Sequence, residues 1–352
     1  MAAMASPLFK RCRADGVPAF RLNGVHREYR AILIERIRSG SIALDQAGPC
    51  LCGTLRFMSV SEKDRFGLPF ANRICVDCGL LSVNPKISAG SLPAYYADVY
   101  HPLICGVRPG VVIEDLVNED QGSRIFSFME GLIVRGRAKV CDVGAASGST
   151  LLGFSEIARL RGISAELFAC EYEENYLSHA RHNGINAVRG GVESLAQFGT
   201  RFDIMILSHV FEHFYNPLEE LGRIRGLLAE GGLLYIELPG VMDISGYGND
   251  ILQYLVHAHN YNFNLDSLSG VLAMEGFTLV KGDETVRAVF RMGGRASRAL
   301  ARDNHRRIIE YLNYAEQKRV SPSGVRRLKR LAWESYYRAG ALLSPFPAAR
   351  QV

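Results

Sequence analysis

The stretch VCDVGAASGST, Val140 to Thr150, decides how the rest of this chain is read. A short apolar run ends at Asp142, Gly144 and Gly148 follow, and STLLGFSEIARLR then has helical character. Glycines at those places let the backbone turn sharply and approach a ligand, while the first amides of the helix point into the same space. A dinucleotide fold would place G-x-G-x-x-G here; this chain has G-x-x-x-G with an acid ahead of it. Asp142 would repel a pyrophosphate and suits an ammonium or sulfonium ligand better. Two glycines alone also fit a plain strand-to-helix turn. The next strand, AELFACE, ends in Glu171, 27 residues after Gly144. A carboxylate at that strand end can accept both hydroxyls of a ribose, and the four residues together favour an adenosyl ligand.

Outward from this loop the pattern alternates. Strands are expected at AKVCDV (138–143), AELFACE (165–171), NAVRG (186–190), FDIMIL (202–207), GLLYIEL (232–238), FTLVKG (277–282) and TVRAVFRM (285–292). Helices are expected at SRIFSFMEGLIV (123–134), STLLGFSEIARLR, EENYLSHARHNG, PLEELGRIRGLLAE and NLDSLSGVLAMEG. Strand and helix in alternation imply a parallel sheet with helices on both faces, an α/β Rossmann-like fold. Only Asp283-Glu284 separates the last two strands. That permits a hairpin and no crossover, so the seventh strand should run antiparallel to the other six.

DVGAASG, the Glu171 of ACEYEEN, FDIMILSHVFEHFYNP and LLAEGGLLYIELPG together resemble successive motifs of class I S-adenosylmethionine-dependent methyltransferases, over roughly 140–292. Ala146 stands where the family's first motif, D-x-G-x-G-x-G, has its middle glycine. The resemblance implies S-adenosyl-L-methionine as cofactor, with contacts from Asp142, Gly144, Ala146, Gly148, Glu171, Val192, Ser208 and His209.

Two cysteine pairs precede that region, Cys50 with Cys52 and Cys75 with Cys78, separated by a gap of 22 residues and set on Gly-containing turns. Four thiolates so arranged suit a tetrahedral zinc site whose binding energy can fold a small module; a reduced, metal-free set is the alternative. A cysteine module ahead of such a domain is similar to bacterial methyltransferases of deoxysugar and surface-polysaccharide pathways. Small-molecule or glycan-linked sugar acceptors follow from that similarity. The expected organisation is a helical arm (1–45, with a helix at 26–38), a zinc-ribbon-like module (46–90), a helical linker region (91–137), the methyltransferase domain (138–292) and a helical extension (293–352). Cys141 and Cys170 fall in core strands and read as small buried hydrophobes.

Composition excludes fibrous and disordered classes: of 352 residues, 48% are hydrophobic and 22% charged. No run of 18 apolar residues exists, so no membrane span is expected, and few, clustered cysteines point to a reducing, cytoplasmic setting. Gly294–Val352 carries thirteen Lys/Arg against four Asp/Glu, a net of +9 that leaves −4 for the rest. That tail is where a polyanion or membrane surface could be met. RRLKRLAWESYYRAGALL also puts Leu328, Leu331, Ala332 and Tyr336 on one face, which makes the charges a solvated back. A further helix is expected from Pro322, after Ser321.

Methyl transfer from a sulfonium needs alignment, water exclusion and sometimes a base. The loops after strands four and five offer Glu212, His213, His259 and Tyr261, with His259 ranked first as acceptor-side base and His213 second; a hydrogen-bonded structural histidine is the alternative for each. The His209-x-x-Glu212-His213 spacing also matches an inverted zinc-protease motif. FDIMIL before it and the helix start at Asn216-Pro217 leave too little chain for the long helix such a site needs. Asn216 is expected as that helix's N-cap, with Glu219 completing a capping box. Rival readings are an RNA methyltransferase, although no aromatic-rich RNA-binding signature is present, and a non-catalytic S-adenosylmethionine-binding partner.

Overall fold

The computed structural model describes residues 6–108, 119–134, 136–293, 301 and 303–320. The expected helix from Pro322 and the face of Leu328, Leu331, Ala332 and Tyr336 lie outside them. The chain divides into two compact units: unit 1 comprises residues 1–111, 240–267 and 300–352, and unit 2 comprises 112–239 and 268–299. The stretch 240–267, between the fifth and sixth strands of the large sheet, thus belongs with the N-terminal region.

Unit 2 is a seven-stranded sheet. In chain order its strands are β1 (Gly136–Val143), β2 (Ile163–Glu171), β3 (Asn186–Arg189), β4 (Phe202–Ser208), β5 (Leu228–Glu237), β6 (Phe277–Gly282) and β7 (Arg287–Met292). In space they run β6-β7-β5-β4-β1-β2-β3. The pairs β1–β2, β1–β4, β2–β3 and β4–β5 are parallel, whereas β7 is antiparallel to both β5 and β6. The order reverses between β1 and β4, so a crevice opens at their carboxyl ends, where ligands of such sheets sit.

Helices α1 (Glu119–Met129), α2 (Ser149–Leu160), α3 (Glu174–His182), α4 (Pro217–Leu227) and α5 (Leu265–Met274) accompany these strands. One side of the core joins Phe126 and Met129 of α1, Leu151 and Phe154 of α2, and Val140, Ile206 and Tyr235 of the sheet. α1 and α2 cross closely, since a Cβ on Gly122 would sit 2.0 Å from the Thr150 carbonyl oxygen. Asp203 is structural, its Oδ2 accepting the Lys139 amide at 2.7 Å. Cys141 and Cys170 are fully buried in β1 and β2.

Several boundaries differ from the sequence expectation. α1 ends at Met129, not 134. α4 stops at Leu227, and β5 starts at once because Leu228 pairs with Phe202 before an irregularity that ends at Leu233. β7 starts at Arg287, because Val286 takes φ +60 in a turn closed by the Asp283 side chain on Thr285 and the Arg287 amide. Asn216 also differs: its side chain caps no backbone amide, and its amide nitrogen instead donates to Glu219 at 3.3 Å.

Unit 1 holds a four-stranded antiparallel sheet of Phe57–Ser61, Ala71–Cys75, Leu81–Asn84 and Tyr261–Asn262. Helix Gly24–Arg38 opens with a reciprocal capping box between Asn23 and His26. Helix Asn304–Val320 presents Ile308, Leu312 and Ala315 to a core shared with Cys12, Val60, Ile74, Leu81, Val241 and Leu255. Three remote stretches of sequence therefore close one core. A fully buried chain, Asp64–His257–Tyr95, stiffens another part of the unit: His257 Nδ1 lies 2.6 Å from Asp64, and its Nε2 lies 2.8 Å from the Tyr95 hydroxyl. Among the described residues no helix is long and apolar enough to cross a membrane.

Candidate functional site

The loop after β1 folds as three left-handed steps, Gly144 at φ +69, Ala146 at +44 and Gly148 at +83. Gly144 donates to the Cys170 carbonyl at 2.9 Å, tying the loop to the end of β2. Gly148 is also needed for space, because a Cβ there would lie 2.4 Å from Ile185 Cδ1. Ala146 holds a conformation that costs an L-residue roughly 1–2 kcal/mol, which explains why glycine is the ordinary occupant of such a position. His209, at the end of β4, is a second non-glycine residue at positive φ, +56, with its amide on the Glu237 carbonyl at 2.8 Å. Two of the five such residues among those described thus fall at expected cofactor positions.

Glu171 closes the far side. Its carboxylate accepts the amides of Ala146 at 3.0 Å, Tyr172 at 2.6 Å and Glu173 at 3.2 Å. Those bonds orient it at the strand end and leave acceptor capacity for a hydroxyl. Asp142 is buried at the end of β1, and desolvation, with Glu171 second, pushes its carboxyl up to about 8. A buried carboxylate short of positive charge is the partner an ammonium or sulfonium would need. The residues present therefore fit an S-adenosylmethionine-type ligand.

The remaining expected contacts lie in the same unit. Val192 begins a 3-10 segment, Val192–Phe198, and is fully buried. Ser208 accepts a hydrogen bond from Gln121 at 2.6 Å, and Gln121 in turn receives one from Thr150 at 3.4 Å. Sequence reading missed Gln121, since nothing local marks a glutamine on α1 as facing β4. It also missed Tyr172, an aromatic 66% exposed directly after Glu171.

Of the expected acceptor-side groups, Glu212 and His213 lie in unit 2 on the turn Phe211–His213, with Glu212 buried. His209 Nδ1 is 3.7 Å from Glu212 Oε1. Desolvation lowers the His209 imidazole, but Glu212, then Glu237, more than offset it and raise its pKa above the ordinary value. His259 and Tyr261 lie in unit 1, both half-buried, with Tyr261 in the last strand of the small sheet.

The four cysteines converge in unit 1, their sulfurs all within 4.8 Å of one another. Cys50 and Cys78 Sγ are 3.5 Å apart, and Cys52 and Cys75 3.6 Å. A tetrahedral zinc with bonds near 2.3 Å sets its sulfurs about 3.8 Å apart, so the set fits that ion. Each pair sits on a turn ending in a left-handed glycine, Gly53 (φ +96) and Gly79 (φ +76), whose amides bond to Cys50 and Cys75 carbonyls. The Cys78 amide points at Cys75 Sγ, 3.5 Å away. Contacts among Cys50, Cys75 and Cys78 hold the Cys75 thiol far below its usual range and push the other two up, so these three share charge as one unit. Asn304 anchors the second turn, donating to the Cys78 carbonyl at 2.8 Å and pairing with Asn264 at the start of α5. Arg73, stacked 3.7 Å over Phe57, binds the Ala47 and Gly48 carbonyls just before Cys50.

Comparison with known proteins bears on unit 2 above all. Residues 119–281 match a family model described as a methyltransferase domain, which is somewhat less than half of the chain. No curated protein matches the chain. Among solved structures, the CurJ carbon methyltransferase is 17% identical over 50% of this chain and 54% of its own, with a TM-score of 0.37. The chain thus spans about half the length of that protein. The 1,6-didemethyltoxoflavin-N1-methyltransferase of Burkholderia thailandensis is 18% identical over 62% of this chain and 97% of its own, with a TM-score of 0.41. The magnesium protoporphyrin IX methyltransferase of Synechocystis PCC 6803 is 12% identical over 50% and 84%, with a TM-score of 0.38. Residues 119–281 are thus similar to a methyltransferase domain.

Proposed function

We propose that this protein is an S-adenosylmethionine-dependent methyltransferase acting on a small-molecule or glycan-linked sugar acceptor, with a structural zinc at Cys50, Cys52, Cys75 and Cys78. The observation that carries the reading is the family match over a loop where Gly144, Ala146 and Gly148 face Glu171, with Asp142 buried beneath. Asp142 balances the ligand's positive charge, Glu171 takes the ribose hydroxyls, and Val192, Ser208 and His209 complete the cradle. The bound cofactor supplies an electrophilic methyl group. The chain's own part is to align the acceptor, exclude water and receive its proton. His259 is the first candidate for that proton and His213 the second, with Glu212 and Tyr261 the further acceptor-side candidates. The zinc contributes folding energy to unit 1 and takes no part in the reaction.

The test is incubation of the full chain with methyl-labelled cofactor and fractionated extract, followed by identification of the labelled molecule. Label on a sugar or other small metabolite is expected. Label on RNA would move the acceptor to nucleic acid. Calorimetry that finds no affinity for S-adenosylmethionine or its demethylated product would remove the reading altogether. A general base contributes roughly 10²–10⁴-fold, so His259→Ala should lower turnover by that order while leaving cofactor affinity unchanged.

A further inference from the structure

Unit 1 contains a turn, KDRFGLPF (63–70), closed by several backbone and side-chain bonds around Arg65. Asp64 Oδ1 accepts the Phe66 and Leu68 amides, both at 2.9 Å, and the Gly67 amide bonds to the Asp64 carbonyl at 3.0 Å. Gly67 takes φ +72 and presses on Gly16, where a Cβ would come 2.4 Å from the carbonyl oxygen. Arg30 clamps the turn from outside, with Nε on the Phe66 carbonyl at 2.8 Å and a second nitrogen on Gly16 at 3.2 Å. Arg65 itself is fixed through its backbone, its amide on Leu255 at 2.9 Å and its carbonyl accepting from Ala19 at 2.7 Å.

The Arg65 side chain is different from the cations around it. Lys63 is paired with Asp15 at 2.5 Å and the Val17 carbonyl at 2.9 Å, and Arg30 is occupied by carbonyls. The guanidinium of Arg65 lies over Phe66 at 4.9 Å and Phe20 at 5.9 Å, with its Nε buried and without a hydrogen-bond partner. Among the described residues no carboxylate comes within ion-pair distance of it. Asp64 is its nearest acid by sequence, and the free oxygen of that carboxylate is on His257. Burial lowers the Arg65 guanidinium below its ordinary range, and His26 is lowered by burial and then by the Arg65 charge. Stacking on two rings contributes about 0.5–2 kcal/mol, whereas a buried polar group left unpaired costs about 1–3 kcal/mol. A planar fork of donors, held rigid and lacking an anion, matches carboxylate and phosphate geometry.

We propose that Arg65 anchors an oxyanion-binding site in unit 1, which takes the carboxylate or phosphate group of a small molecule against the Phe20 and Phe66 rings. The site is assigned within unit 1 alone and does not rest on the methyltransferase reading above.

The experiment treats the full chain with an arginine-selective dicarbonyl and reads modification of the Arg65 peptide by mass spectrometry, at equal ionic strength, in inorganic phosphate, in acetate and in potassium chloride. Protection by phosphate alone assigns a phosphoryl group, by acetate alone a carboxylate, and by both a general oxyanion site. Equal modification in all three salts overturns the proposal. Calorimetry with the protecting anion should show Arg65→Met weakening its affinity by about ten- to a hundredfold and Arg65→Lys, which keeps the charge and loses the fork, by less. Unchanged affinity in Arg65→Met also overturns it. Cofactor calorimetry on the same preparation keeps the two questions apart, since its failure with Arg65 still protected would remove the methyltransferase reading and leave the anion site.

Discussion

The glycine loop of unit 2 and the cysteine sheet of unit 1 are opposite solutions to placing ligand groups. The loop draws Asp142, Gly144, Ala146, Gly148 and Glu171 from one strand-helix-strand unit, so its geometry follows from local chain conformation. The cysteine sheet needs Cys50 to Cys78, the strand Tyr261–Asn262 and the helix opening at Asn304, separated by more than two hundred residues. A site of the first kind can lose its ligand and keep its shape. One of the second kind has little to hold its pieces together except the shared core and the proposed metal.

Removing that metal should therefore have the largest effect. A structural zinc contributes on the order of 10 kcal/mol of folding energy. Chelation, or Cys75→Ser, is expected to release hydrogen-exchange protection in 57–84 and, with it, in 261–262, while β1 and β4 in unit 2 keep theirs and cofactor still binds. Protection unchanged in both stretches, or metal analysis showing less than one zinc per chain, would sink the zinc assignment.

A pair of glycine substitutions sharpens the contrast at the next level. Gly67 and Gly148 have similar positive φ, and a Cβ on either would meet a neighbour at 2.4 Å. The neighbour of Gly67 is a backbone oxygen in a clamped turn; that of Gly148 is the end of the Ile185 side chain, which can rotate away. Left-handed strain adds roughly 1–2 kcal/mol to each, and overpacking that cannot relax adds roughly 1–3 more. Gly67→Ala should thus cost about 2–5 kcal/mol by urea denaturation and Gly148→Ala about half of that. Equal costs would mean that Ile185 is as rigid as backbone.

The same contrast governs what the sequence reveals. The strands of unit 2 are legible because buried parallel strands are apolar runs, and the loop because Gly144, Gly148 and the acids sit at fixed short offsets. The cysteine spacing is legible for the same reason. Tyr261–Asn262 is not: two residues carry no periodicity, and their pairing with Ser82 and Leu81 depends on distant chain. Nor is the Asp64–His257–Tyr95 chain, whose members lie 193 and 162 residues apart, or the Asn304–Asn264 contact. The early start of β5 escaped because helix and strand abut at Leu228 with no breaker between them.

Charge gives a smaller, pH-dependent test of the loop. Asp142 binds its proton more tightly in the folded chain than in the unfolded one, so its contribution to stability is greatest below about pH 4 and is lost as pH rises through about 8. A cationic cofactor favours the ionised form, and its affinity should rise between pH 6 and 9 by at most about tenfold per unit. Asp142→Asn should flatten both profiles. An affinity profile that stays equally steep in the variant would assign the titration to another group, with His209 the next to examine.

The smallest effect is expected where a helix start looks strongest in sequence. Asn216-Pro217 has the residues of an N-cap, yet the Asn216 side chain accepts no amide and turns to Glu219. In unit 1, Asn23 accepts the His26 amide at 2.9 Å while His26 Nδ1 accepts that of Asn23 at 3.2 Å. A working cap is worth about 1 kcal/mol, so Asn23→Ala should lower stability by about that much. Asn216→Ala loses only a surface contact with Glu219 and should change it by less than about 0.5 kcal/mol. A full-sized loss at Asn216 would mean that its side chain reaches the Pro217–Leu227 amides in solution, and that the residues after β4 take a different conformation beside Glu212 and His213. Because those are the unit 2 candidates for acceptor chemistry, this least costly substitution also tests the conformation on which their roles depend.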